Sequence, residues 1–111
     1  MDIKTDEYSA WIEGPDLYFS GVMRLENKTA SEITSLVRDL LTSGPPVITV
    51  HLSDLEFINS HGRNILARLV IEARSHPQTR MVVRGNSNIV WQQRTLPNLK
   101  RIYPGLLLLL D

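Results

Sequence analysis

The sequence predicts an α/β domain in which a mixed β-sheet of about five strands is covered by about three helices. Residues 47–52 (VITVHL) are β-branched and nearly all apolar, which is typical of a strand buried on both faces. Apolar residues at helical spacing come before and after this run, so strands and helices alternate along the chain. Strands separated by helices favour parallel pairing through right-handed crossovers. The chain has 111 residues, which is the length of one domain.

The N-terminal part predicts a flexible tail followed by a β-hairpin. Residues 1–7 are expected to form the tail, so a single domain is predicted over residues 8–111. Residues 8–12 and 17–25 have the composition of strands, and the turn Glu13-Gly14-Pro15-Asp16 joins them. Gly21 interrupts the second of these strands.

The first helix is predicted to begin near Thr29. Thr29 and Glu32 have the spacing of a capping box, in which each side chain bonds to the backbone N–H of the other residue. One apolar stripe follows at helical spacing: Ile33, Leu36, Val37, Leu40 and Leu41. Gly44 favours the left-handed conformation that closes a helix, and the two prolines after it prevent its continuation.

The second half of the chain predicts two more helices and two more strands. Apolar positions at 65, 66, 69, 70 and 73 indicate a helix that ends before Pro77. Residues 80–84 predict a short strand, residues 86–96 a third helix stopped by Pro97, and residues 106–110 a last strand. The turn over residues 53–62 leaves the carboxyl end of the central strand, where open α/β sheets place their sites.

Composition excludes several classes of protein. The chain has no cysteine, so disulfides, thiolate nucleophiles and cysteine-ligated metals are excluded. The longest apolar run, at 106–110, is far shorter than the roughly 20 residues of a membrane span, and the acidic start is not a secretory signal. A cytoplasmic protein is therefore expected. Residues 57–111 hold eight bases and two acids, but the bases are dispersed, so no nucleic-acid surface is predicted.

The stretch FINSHG, residues 57–62, leaves several interpretations of Ser60 open. Asn59 or Ser60 is suited to cap the next helix, because each accepts a bond from a free N–H of the first turn. Ser60 is poorly placed as a nucleophile, since its neighbour His61 faces another direction and the G-x-S-x-G elbow is missing. A phosphate attached covalently to Ser60 suits the positive end of the helix dipole, so the fold would tolerate this modification.

No metal site and no cofactor are predicted. His51, His61 and His76 are far apart in the sequence, and neither the HExxH zinc motif nor an EF-hand loop is present. The glycine motifs that bind nucleotide phosphates are missing too.

The run VITVHLSDLEFINSHGRNILARLVIEAR resembles the signature of the STAS domain, which occurs in bacterial anti-sigma-factor antagonists and in the tails of sulfate transporters. In that family a buried strand leads into a Leu-x-x-Phe-hydrophobic-Asp-Ser-Ser-Gly turn and then into a helix. Phe57, Ile58, Ser60 and Gly62 match this pattern, and Leu55 corresponds to its leucine with one intervening residue instead of two. Asn59 stands in place of the usual Asp, His61 in place of the second Ser, and Asn64 in place of a common second Gly.

The resemblance implies a STAS-like fold and a non-enzymatic regulatory function based on partner switching. In the family, a serine kinase that is also an anti-sigma factor phosphorylates the first serine of the turn, and a PP2C-type phosphatase reverses the reaction. Ser60 is the matching serine. By this resemblance the partner-binding residues are Asp54, Phe57, Asn59, Ser60, His61, Gly62, Arg63 and Asn64. The C-terminal helix common in the family is not predicted here.

The alternative function is a small-ligand module without a phospho-switch. The N-terminus of the helix near Ser60 offers free N–H groups, and the C-terminal half of the chain is basic, so a nucleotide, a lipid or an anion is the expected class of ligand. The sequence does not distinguish a monomer from a dimer.

Overall fold

The computed structural model describes residues 2–111, which form a six-stranded mixed sheet and three helices. The strands are β1 (Asp2–Lys4), β2 (Tyr8–Glu13), β3 (Asp16–Met23), β4 (Val47–Ile58), β5 (Arg80–Gly85) and β6 (Leu107–Leu110). The helices are α1 (Asn27–Thr42), α2 (Ser60–Arg74) and α3 (Val90–Ile102). The order in the sheet follows the chain from β1 to β6. The pairs among β1, β2 and β3 are antiparallel, and those from β3 to β6 are parallel.

The three helices lie on one face of the sheet. Each parallel step from β3 to β6 moves one strand further in the same direction, so right-handed crossovers place every connecting helix on the same side. Ile48 and Val50 of β4 are accordingly buried, whereas Val47 is 41% exposed on the opposite, open face. The prediction that this strand is buried on both faces is wrong, because all the helices cover the same side.

The predicted helical stripes form the core. Ile33, Val37 and Leu41 of α1 are fully buried, while Leu36 and Leu40 lie at the edge of the stripe. All five predicted apolar positions of α2 are buried: Ile65, Leu66, Leu69, Val70 and Ala73. The two helices pack against each other and against the sheet, and this packing sets the position of the N-terminus of α2.

Residues 2–4 form a strand where the sequence predicted a flexible tail. β1 pairs with β2, with Ile3 opposite Ala10. Three residues are too few to show a periodicity, so only the pairing with β2 defines this strand. The predicted hairpin of β2 and β3 is confirmed. Gly21 has a φ of 91°, and a Cβ there would lie 3.0 Å from the Cα of Tyr8, so this position requires glycine.

Three predicted helix ends differ from the structure, namely the start of α1 and both ends of α3. α1 begins at Asn27 with Glu26 as its N-cap and no side-chain cap, so the capping box of Thr29 and Glu32 is not formed. α3 starts at Val90 and continues through Pro97, which was expected to stop it. The buried residues Leu96 and Leu99 on either side of Pro97 anchor the helix in the core, and this packing outweighs the lost backbone hydrogen bond.

Candidate functional site

The candidate site begins where β4 extends past its neighbour β5. β5 pairs with β4 only as far as His51, whereas β3 continues to pair with β4 up to Ile58. The residues predicted as a turn from Ser53 onward are therefore strand as far as Ile58. This strand is irregular, because its register against β3 shifts twice, between Tyr18 and Ser20 and between Gly21 and Val22.

Side chains of α3 replace the missing strand beside the end of β4. The amide nitrogen of Gln92, which is fully buried, donates to the backbone oxygens of Leu52 at 2.5 Å and Leu55 at 3.0 Å. The indole N–H of Trp91 also donates to the Leu55 oxygen, at 3.0 Å. The side-chain oxygen of Gln92 accepts from the N–H of Asn86 at 2.7 Å. These bonds hold the end of β4 on the side where β5 no longer supplies a ladder.

Asn59 joins the end of β4 to the start of α2. Its backbone N–H donates to the oxygen of Met23 at 3.1 Å, and its side-chain nitrogen donates to the oxygen of Leu25 at 3.1 Å. Its side-chain oxygen accepts from the N–H of Gly62 at 2.9 Å and caps the helix. Of the two caps that the sequence allowed, Asn59 is the one formed, because its extended backbone places the side chain over the first turn.

Ser60 is the first residue of α2, and its side chain is exposed. Its hydroxyl oxygen accepts a hydrogen bond from the guanidinium Nη2 of Arg63 at 3.3 Å. His61 and Asn64 are exposed on the same first turns of the helix. Since Asn59 already supplies the cap, the Ser60 hydroxyl has no capping role and is directed to solvent beside a cation.

Gly62 was predicted to contact a partner, but it is buried against the core. A Cβ at this position would press on the side chain of Ile58, with Cδ1 at 2.9 Å, and would lie 3.3 Å from the Oδ1 of Asn59. Ile58 is itself only 2% exposed. Gly62 therefore acts by letting the first turn of α2 approach β4 closely.

A polar groove of about 380 Å³ lies beside the site, between α1 and α2. His61, Asn64 and Arg68 line it from α2, and Asn27, Ser31 and Arg38 line it from α1. Of the predicted site residues, His61 and Asn64 are the two that reach this groove. The sequence did not predict the groove residues of α1, because their pattern is that of an ordinary solvated helix face. Only the packing of α1 on α2 brings them to the site.

One ion pair links the two helices near the groove. The Nη2 of Arg38 lies 2.8 Å from the Oε1 of Glu72. The hydrogen bond from Arg38 holds the pKa of the Glu72 carboxyl below its ordinary value, and the same bond raises the pKa of Arg38. The pairing leaves Arg68 and His61 as the cationic or ionisable groups of the groove that have no ion-pair partner among residues 2–111.

The predicted residues Phe57 and Asp54 lie on the open face of the sheet. The Phe57 ring is 45% exposed, and the guanidinium carbon of Arg24 lies 5.6 Å from its centroid. Asp54 lines a separate, shallow pocket of about 140 Å³ together with Trp11 and Tyr18. The predicted site residues are thus divided between the N-terminus of α2 and the open face of the sheet.

The geometry around Ser60 contains no serine–histidine pair. Within residues 2–111, the Ser60 hydroxyl bonds to Arg63. His51 Nε2 lies 3.2 Å from Asp16, and His76 Nδ1 bonds to the Glu72 backbone, so neither histidine contacts Ser60. The described residues bring no three metal-ligating side chains together. In the same part of the chain, the helices are too short or too polar to cross a bilayer.

Comparison with known proteins identifies the fold. No known protein-family profile matches the sequence, and no curated protein matches it either. The structure is similar to the crystal structure of an anti-sigma factor antagonist from Mycobacterium paratuberculosis, with a TM-score of 0.62 and 21% identity. The match covers 94% of this chain and 88% of that one. The predicted STAS-like α/β fold is therefore confirmed, with six strands where about five were expected.

Proposed function

We propose that this chain is a non-enzymatic regulatory module of the anti-sigma-factor-antagonist type, whose binding to a protein partner is controlled by phosphorylation of Ser60. The observation that carries the proposal is the placement of Ser60. It is an exposed hydroxyl at the first position of α2, and the neighbouring Asn59 caps the helix. A phosphate could be added there without removing a bond on which the fold depends.

The electrostatics at Ser60 favour a phosphate. A phosphoserine carries a charge of about −1.5 to −2 near neutrality, and the N-terminus of a helix stabilises negative charge. Arg63 already bonds to the Ser60 oxygen and is one turn away on the same helix face. The phosphorylated form would therefore stay folded, and its main effect would be on the surface that a partner contacts.

The proposed partner surface consists of the exposed side chains around Ser60. His61, Arg63 and Asn64 belong to the first turns of α2, and Phe57 is exposed at the end of β4. The exposed Phe57 ring lies on the open face beside the cation of Arg24, and exposed aromatic rings and arginines are frequent at contact surfaces between proteins. The partners proposed from the fold are a serine kinase that is also an anti-sigma factor and a PP2C-type phosphatase.

The first test is the mass of the protein isolated from its own cells, followed by peptide mapping. We expect a phosphate on Ser60 whose occupancy changes with growth conditions. The kinase is then sought among proteins that the native chain retains. Ser60→Ala should keep binding that protein after incubation with ATP, whereas Ser60→Asp should bind it weakly in every condition.

Ser53 offers a matched control, because it is a serine of the same strand-to-helix region that is half-buried on β4. Ser53→Ala should behave like the native chain in both assays. Equal binding of the native, Ser60→Ala and Ser60→Asp chains would rule out the switch. It would leave a STAS-like fold that binds its partner without regulation at Ser60.

The groove between α1 and α2 supports a second candidate function, the binding of a small anion or nucleotide. Its walls are mostly polar, with Ala30 and Ile65 as the apolar contributors, so a lipid tail is poorly matched. Arg68 and His61 would face the anion. Thermal unfolding with phosphate, nucleotides and fatty acids tests this, since a ligand stabilises the fold in proportion to the logarithm of its concentration. Arg68→Met should remove the shift; no shift with any compound would exclude this function.

A further inference from the structure

The two edges of the sheet differ in a way that the proposed function does not explain. β1 forms one edge and carries the exposed charges Asp2 and Lys4 around a single apolar residue. β6 forms the other edge, and its four residues are all leucine. Proteins usually protect edge strands with charges, prolines or very short strands. Both edge strands are short, but only β1 carries charges, and the four residues of β6 include neither a charge nor a proline.

The outer side of β6 offers free backbone groups as well as leucine side chains. The N–H of Asp111 donates to the oxygen of Gly85 on β5, at 3.1 Å. Alternate residues of a parallel strand bond to the same neighbour, so the N–H and C=O groups of Leu108 and Leu110 face away from β5. Within residues 2–111 no strand covers this side.

The leucine side chains extend the apolar surface to both faces of the edge. Leu107 is 39% exposed on the open face, and Leu109 follows it on the same side. Leu108 and Leu110 pack against the core from the helical face but are only partly buried. A strand added at this edge would cover leucines on both faces at once.

The charges at the two ends of β6 determine which orientation of a second copy is favoured. Lys100 and Arg101 lie in the last turn of α3, just before β6, and Arg74 donates to the backbone oxygen of Ile102 at 2.9 Å. Asp111 follows the other end, where its carboxylate lies 3.3 Å from Arg84. Parallel pairing of two copies would bring the Asp111 carboxylates together. Parallel pairing would also bring the two basic ends together, whereas antiparallel pairing separates them and brings the Asp111 of each copy toward the basic end of the other.

We infer that this edge is a homodimer interface, in which the β6 strands of two copies pair antiparallel about a two-fold axis and join the two sheets. Such an interface is self-complementary, as a two-fold axis requires. Its backbone hydrogen bonds follow the strand-addition mode that other proteins use to bind extended peptides. The inference does not depend on phosphorylation of Ser60, because β6 is separated from β4 by β5.

Sedimentation of the native chain over a range of concentrations tests the inference. We expect a reversible dimer of twice the 12.6 kDa chain mass. Leu109→Lys should raise the dissociation constant by at least about tenfold, because Leu109 lies near the middle of β6, so the change removes apolar burial and places two ammonium groups near the axis. Ile71→Lys is the matched control, since Ile71 is an exposed aliphatic residue of α2, 42% exposed, and lies outside the interface.

Hydrogen exchange distinguishes this interface from another dimer. The peptide containing Leu108 and Leu110 should exchange slowly in the dimer and faster on dilution. If Leu109→Lys fails to fold by circular dichroism, Leu109→Thr serves as the uncharged variant. A chain that stays monomeric at all concentrations, a dimer unaffected by both Leu109 variants, or fast exchange at β6 within the dimer would each overturn the inference. A different protein seated on β6 of a monomeric chain would overturn it as well.

Discussion

The side-chain nitrogen of Asn59 donates a hydrogen bond to the backbone oxygen of Leu25, at 3.1 Å. This bond gives a physical reason for an asparagine where STAS sequences usually have aspartate. The other side-chain atom, Oδ1, accepts from the Gly62 N–H, a role that either residue type could fill. An aspartate could not donate to Leu25 when ionised. Asn59 therefore ties the loop after β3 to the start of α2.

Two replacements of Asn59 are expected to destabilise the fold to different extents. Asn59→Ala loses both side-chain bonds and should lower the free energy of unfolding by about 1–2 kcal/mol, as for the loss of other N-caps. Asn59→Asp keeps the cap but places a carboxylate oxygen against the backbone oxygen of Leu25. Its stability should therefore fall between those of the native chain and Asn59→Ala. Urea unfolding followed by circular dichroism measures both. An Asn59→Asp chain as stable as the native one would show that the Leu25 bond contributes nothing.

Gln92 should be a determinant of stability although it is polar. Gln92→Leu has a similar size but leaves the Leu52 oxygen and the Asn86 N–H without their side-chain partner. A buried group that loses its partner costs about 1–3 kcal/mol, so we expect a loss in that range or above it. Gln93→Leu is the control, because Gln93 is exposed on the same helix. Equal stability of both variants in urea would contradict the role assigned to Gln92.

Gly62→Ala should destabilise the chain even though alanine favours helices. The added methyl group would press on the buried Ile58 side chain and on the capping oxygen of Asn59. Overpacking of this kind typically costs about 1–3 kcal/mol. His61→Ala, at the exposed neighbouring position, should be neutral. If Gly62→Ala unfolds at the same urea concentration as the native chain, the close contact of position 62 with Ile58 and Asn59 does not limit the side chain there.

Arg63 should stabilise the phosphorylated chain more than the unmodified one. Its Nη2 lies 3.3 Å from the Ser60 oxygen, so it can pair with an attached phosphate. In thermal unfolding, phosphorylation should raise the melting temperature of the native chain more than that of Arg63→Met, which keeps the helix dipole but loses the cation. Arg68→Met, on the groove side of the same helix, should behave like the native chain. The prediction fails if phosphorylation has the same effect in all three proteins.

The pair of Arg38 and Glu72 should make a small, pH-dependent contribution to stability. Arg38 holds the pKa of Glu72 below its value in the unfolded chain, so the contribution is present above the unfolded pKa. It is lost as the pH falls through the lowered folded pKa. Glu72→Gln should therefore be less stable than the native chain near neutrality and equal to it in acid. Glu32→Gln, at an exposed position of α1, should show no such change; a difference that persists in acid would rule out the ion pair as its cause.

The sequence by itself determined the class of the fold and pointed to the candidate site at the start of α2. The apolar stripes of α1 and α2, the run 47–52 and the FINSHG stretch all depend on local periodicity and turn chemistry, which a linear sequence contains. For the same reason it allowed two caps for α2, and the choice of Asn59 depended on the oxygen of Leu25, which is distant in the sequence.

Only the tertiary structure decided which surfaces meet. The strand β1 is defined only by its pairing with the neighbouring β2. The extension of β4 to Ile58 depends on pairing with β3, and the passage of α3 through Pro97 depends on packing in the core, in both cases with residues far along the chain. The same holds for the groove between α1 and α2 and for the open face of the sheet. Right-handed crossovers were expected from the sequence, but they place every helix on one side only because the strands follow the chain order in the sheet, and that order depends on pairing between distant residues.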